Sequence, residues 1–68
     1  MAYVYWTYGE LVRLRHGAGQ GFSLSKLAQS TGHTREACDL ALWALFGRSV
    51  TDAQDILNGR ALAEERIA

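Results

Sequence analysis

The chain contains no proline, a single cysteine and no formal net charge among its 68 residues. Without proline, the breaks between elements fall to glycine and to capping side chains. Cys38, alone, cannot form an internal disulfide, and together with the missing leader pattern it points to a cytosolic protein. No apolar run approaches the roughly 20 residues that span a bilayer, so no membrane role is expected. The balanced charge weighs against a strongly electrostatic nucleic-acid binder, since phosphate contacts need Lys and Arg. There is no repeat and no low-complexity tract.

Apolar residues make up 49 % of the chain, which is enough for a core and too much for a disordered segment. At this length one small domain, spanning 1–68, is expected, with oligomerisation as a common source of added stability. The charges are unevenly placed. Residues 1–35 carry Arg13, Arg15, Lys26 and Arg35 against Glu10 alone, a net of +3, and residues 36–68 carry the compensating −3. A basic surface, if present, comes mainly from the first half.

The most informative stretch is Leu24 to Phe46. Ser23 precedes a short helical pattern over 24–31 with Leu24, Leu27 and Ala28 on one face, and Gly32 stops it in a left-handed turn. Thr34 caps a helix over 35–46 that turns Ala37, Cys38, Ala41, Leu42 and Leu45 inward. Two helices joined by a turn of about four residues form a helix-turn-helix pattern. Upstream, residues 2–6 are aromatic and β-branched and predict a short extended arm. Thr7 and Glu10 make a capping box for a first helix, with Leu11, Val12 and Leu14 apolar, His16 in its last turn and Gly17 as its end. Gly17 to Gly21 then read as a flexible connection, and Phe22 as a staple onto the second helix. Downstream, Gly47 ends the apolar run. Thr51 and Gln54 form a second capping-box candidate for a helix over about 51–58, with Ala53, Ile56 and Leu57 as its stripe. Asn58-Gly59 is its expected stop, and residues 60–68 a frayed tail.

Trp6-Thr7, Glu10, Leu11 and Leu14, followed by Leu27-Ala28, Thr31-Gly32-His33-Thr34, Ala37 and Cys38, together resemble the small bacterial Myb-like, or SANT-like, helix-turn-helix domains. The resemblance covers about 6–46. It implies an all-α fold with a three-helix core over 7–46, here with the extended aromatic arm before it and a fourth helix after it. It also implies a bacterial or phage transcriptional regulator whose third helix enters the major groove of double-stranded DNA. Lys26, Gln29, His33, Thr34 and Arg35 are the candidate DNA-contacting residues. The outward side of the third helix departs from the family. Where basic or polar residues are usual, this chain has Arg35, Glu36, Asp39, Leu40 and Trp43, of which the carboxylates repel phosphate and the apolar pair reads base edges poorly. The same corner is also similar to the helix pair of ribbon-helix-helix repressors, in which a strand reads the groove. In that family, however, strand and first helix are nearly contiguous. A third reading of the apolar helix is a protein-binding adaptor or inhibitor on the same fold.

Leu40 and Trp43 point away from the inward stripe, so they are the expected interface of a homodimer that holds two corners in fixed relation, as operator half-sites require. Enzymatic chemistry is not expected. Cys38 has no base placed beside it by sequence, the carboxylates fall on solvent faces, and His16, His33 and Cys38 lack a fourth ligand and a metal-site spacing. The glycines at 17–21 follow no strand and precede no Gly-Lys-Ser/Thr, so neither a nucleotide nor any other cofactor is implied.

Overall fold

The computed structural model describes residues 5–67, with side chains through Ala63. Four helices follow one another: α1 (Tyr8–Gly19), α2 (Leu24–Thr31), α3 (Arg35–Leu45) and α4 (Val50–Ile67). Among the described residues there is no strand, and no helix is long and apolar enough to cross a membrane. The extended arm expected at 2–6 lies largely outside the described residues.

Each helix start is set by a side chain. At α1 the Thr7 hydroxyl accepts from the Glu10 amide at 3.2 Å, and the Glu10 carboxylate accepts from the Thr7 amide at 2.9 Å, a complete capping box. Ser23 and Thr34 accept from the amides of Lys26 and Ala37, three residues on. At α4 the cap is Ser49, whose Oγ accepts from the Asp52 amide at 3.1 Å, and not the expected Thr51. With the cap two residues earlier, α4 begins at Val50, which lies inside the core.

The helix ends depart further from expectation. Gly17 does not end α1, which continues to Gly19. The terminus closes on Gly21, at φ +83°, with the Phe22 amide bonded to the Gly17 carbonyl and the Gly21 amide to that of Ala18. That pair of bonds is a Schellman motif, so the glycine-rich connection is a defined helix stop. Gly17 is needed for close approach. A Cβ there would lie 2.7 Å from Leu27 Cδ2 and 2.9 Å from Phe22 Cδ2, where α1 meets α2 and the Phe22 ring. Gly32, at φ +78°, ends α2 as expected. α3 ends at Leu45, which leaves Phe46 extended and 86 % exposed.

α4 runs through Asn58-Gly59 instead of stopping there, and the segment expected to fray is helical to Ile67. Two observations account for this. Buried Val50, Ala53, Leu57 and Ala61 keep a single stripe that crosses Gly59 without interruption. The Asn58 side chain is also committed elsewhere: it accepts from the Trp6 amide at 2.9 Å and donates to the Trp6 carbonyl at 3.1 Å. It is therefore not available to satisfy a helix end.

The core gathers Trp6, Leu11, Leu14, Leu27, Cys38, Ala41, Ala44, Leu45, Val50, Ala53 and Leu57. α1 and α3 each pack against the other three helices, while among the described residues α2 and α4 do not meet. Of the expected inward residues, Leu24 and Ile56 are about one-third exposed and Leu42 is half-buried, whereas Ala44 is fully buried. α3 is covered by α1 and α2 on one side and by α4 on another, so its buried arc is wider than one stripe.

Gly17 and Gly59 are therefore opposite cases. Gly17→Ala crowds Leu27 and Phe22 and should destabilise by roughly 1–3 kcal/mol. Gly59→Ala meets nothing within 4 Å inside a helix and should stabilise by about 0.5–1 kcal/mol. Urea unfolding of both variants measures the contrast.

Removing the Asn58 side chain should cost about 1–3 kcal/mol, since it takes the partner from the Trp6 amide and leaves the Trp6 carbonyl to Gln54 alone. Asn58→Asp keeps the acceptor and loses the donor, so its midpoint in the same titration should fall between those of wild type and Asn58→Ala.

Candidate nucleic-acid interface

The corner between α2 and α3 is built from three local devices. The Gly32 amide bonds the Ala28 carbonyl at 2.9 Å in the left-handed exit. Buried Thr31 donates its hydroxyl to the Leu27 carbonyl at 2.9 Å and lies 3.5 Å from the Cys38 sulfur, tying the end of α2 to the first turns of α3. Thr34 then caps α3 and leaves Arg35 as its first residue, exposed.

Arg35 lines a shallow groove with Ser23, Leu24 and Ser25 from the start of α2 and Glu36 and Asp39 from α3. The starts of both helices thus open on one exposed groove. Helix starts carry free amides and partial positive charge, so here they share the sign of Arg35 and lie beside two serine hydroxyls. Glu36 and Asp39 oppose that charge electrostatically in the same groove.

The expected contact residues do not all converge. Lys26 and Gln29 are exposed on α2 but do not line the groove, and Lys26 holds its ammonium 4.1 Å above the Phe22 ring. Thr34 caps α3 through the Ala37 amide and does not line the groove. His33 is turned inward. Its ring stacks on Trp6 at 3.8 Å between centroids, and its side chain is 14 % exposed. It therefore joins turn to core and does not reach toward the groove. Ser23 and Ser25 line the groove instead. Ser23 was legible only as a cap, and nothing in sequence spacing joins either serine to Arg35.

His33 Nε2 lies 3.2 Å from Glu10 Oε2, off the axis of a directed hydrogen bond, so the contact acts as an ion pair when the ring carries its proton. Burial alone would raise the Glu10 carboxyl, but the Thr7 amide, His33 and the Thr7 hydroxyl together hold it below the ordinary glutamate value. Among the described residues no three His, Cys, Asp or Glu side chains come together as metal ligands.

Leu40 and Trp43 are 38 % and 57 % exposed on the outer side of α3. They line a hollow with Glu36, Asp39 and Arg60 of α4, and the Arg48 guanidinium lies 5.5 Å from the Trp43 ring centre.

Comparison with known protein families, curated proteins and solved structures finds no match.

The Glu10 arrangement carries a pH signature. A carboxyl whose folded-state pKa is depressed stabilises the fold fully above the unfolded value and loses that contribution as pH falls through the folded value. Glu10→Gln should therefore lose less melting temperature than wild type between neutral pH and the acid side of 4.5. Parallel thermal melts across that range test it, and equal losses would mean that Glu10 does not contribute.

Proposed function

We propose that residues 7–46 form a helix-turn-helix and that the protein binds double-stranded DNA through the starts of α2 and α3, acting in the cytoplasm as a transcriptional regulator of the bacterial or phage Myb-like type. The observation that carries this reading is the groove in which Ser23, Ser25 and Arg35 meet at two helix starts across the Gly32 turn. Helix-turn-helix proteins dock with the N-terminal residues of the second helix in the major groove and with the first helix across the backbone. In such a docking Arg35, the first residue of α3, would meet the major groove, and Ser23 and Ser25 would meet the backbone. Glu36 and Asp39 can accept only from base amino groups, those of cytosine and adenine in the major groove, so binding should be selective and modest in affinity.

A ribbon-helix-helix arrangement is less suited, because α1 occupies the interval between the N-terminal arm and the corner. A second reading, a protein-binding adaptor on the same scaffold, is favoured by the exposed Leu40, Trp43 and Phe46. Affinity for mixed-sequence duplex DNA across a salt series separates the two.

If the corner binds DNA, Arg35→Ala should weaken binding and reduce the salt slope by about 1, the value of one lost phosphate contact. Arg15→Ala should leave the slope nearly unchanged, because Arg15 lines a separate hollow with Val12, His16 and Gln20. Fluorescence anisotropy gives both slopes. Absence of binding at low salt, or equal effects from the two variants, would overturn the DNA reading.

A further inference from the structure

α3 has a buried arc and, on its outer side, a second stripe. Glu36, Leu40 and Trp43 follow i, i+4, i+7 spacing with Asp39 beside them, and Phe46 extends the apolar surface past the helix end. The outer side of a surface helix is ordinarily polar, but this one carries three large apolar side chains with exposures of 38, 57 and 86 %.

The stripe is also charged in a definite order. Glu36 and Asp39 stand at its N-terminal end. At the other end Arg48 folds back along the helix: its Nη1 donates to the Ala44 carbonyl at 3.3 Å while the guanidinium sits near the Trp43 ring. Acidic, apolar and basic groups therefore succeed one another along α3. Arg60 of α4 reaches the acidic end and lines the hollow there with Glu36 and Asp39.

A sequence of charges with this order is complementary to itself when reversed. A two-fold axis crossing α3 midway between Leu40 and Trp43 sets Leu40 against the partner's Trp43. The same axis brings Glu36 and Asp39 toward the partner's Arg48. Because Arg48 lies past the helix end and folds its guanidinium back beside Trp43, the axis that sets Leu40 against the partner's Trp43 also brings the partner's guanidinium within about one helical turn of Asp39 and Glu36, so a single axis serves both pairings. An isologous contact requires this agreement, in which residue i meets j and j meets i.

We propose that the outer stripe of α3 is the interface of an antiparallel homodimer, with the Leu40 and Trp43 side chains of two copies at its centre and Glu36 and Asp39 paired with the partner's Arg48 at each rim. The proposal does not rest on DNA binding. It bears on it in two ways. The partner's Arg48 offsets the two carboxylates that oppose phosphate in the Arg35 groove. The two α3 starts would lie about 20 Å apart along the helix axis, short of the ~34 Å of one DNA turn, so the dimer would not present both starts to successive turns.

The test is made in DNA-free buffer, so its outcome is independent of the DNA reading. Sedimentation equilibrium of the full chain from low to high micromolar concentration should show a dimer. Trp43 emission should shift to the red on dilution as its partner leaves, while buried Trp6 contributes a constant background. Arg48→Glu alone, and Glu36→Arg with Asp39→Arg, should each be monomeric, because each homodimer then opposes like charges. Mixed in equal amounts the two variants should form a heterodimer, since acid again meets base at both rims. Far-UV circular dichroism of each variant confirms that it is folded before mixing. Wild type that remains a monomer at high micromolar concentration, a dimer whose Trp43 emission does not change on dilution, or folded variants that fail to pair on mixing would overturn the proposal.

Discussion

The Trp6 indole lies buried against the turn that separates α2 from α3, and its peptide group is held by the middle of α4. His33 stacks on its ring, while Asn58 takes up both its amide and its carbonyl and Gln54 adds a bond to the carbonyl at 3.2 Å. The segment before α1 would otherwise leave backbone polar groups inside a small core without partners, which is costly when they are shielded from water. Asn58 supplies both a donor and an acceptor from one amide, which a carboxylate or hydroxyl in its place would not do as a fixed pair. Through Trp6 the segment just before α1, the corner turn and the last helix become one packed unit.

The rest of the architecture follows from that attachment. With the His33 ring drawn toward Trp6, the turn is ordered from within, and Glu10 completes it by joining the α1 capping box to the same histidine. α1 and α3 each pack against the other three helices. The corner is left with its helix starts outward, which keeps Ser23, Ser25 and Arg35 accessible. α4 covers one side of α3, but the outer stripe around Trp43 stays open. Covering a side chain of that size is worth about 1.5–3 kcal/mol, a large fraction of what a domain this small has in total. An apolar surface of this kind is therefore a feature that the fold itself does not use.

The local signals in the chain were readable because they act over three or four residues. Thr7 with Glu10, Ser23, Gly32 and Thr34 each set an end of a helix through a hydrogen bond or a positive φ, and the spacing of Leu27, Cys38, Ala41 and Leu45 marked the buried faces of α2 and α3. The misreadings share one cause. Gly17 and Asn58-Gly59 carry the composition of helix stops, yet each is inside a helix, because what they meet comes from elsewhere in the chain: Leu27 and Phe22 for Gly17, and Trp6 for Asn58. Intrinsic preference is a weak term that tertiary contacts override at such positions.

The sequence by itself determined the helical class, the four helices in order, the capped corner and the two-sided character of α3. These depend on periodicity and on contacts between near neighbours, which the order of residues encodes directly. Tertiary structure alone decided that His33 belongs to the core side of the turn, that Lys26 and Gln29 stand apart from the groove, and that Arg35 shares it with Ser23 and Ser25. It also decided that Arg48 folds back beside Trp43 and so gives the open stripe a basic end. These are relations between residues far apart in the chain or between side chains free to choose a direction, and only the packing of whole helices selects among them.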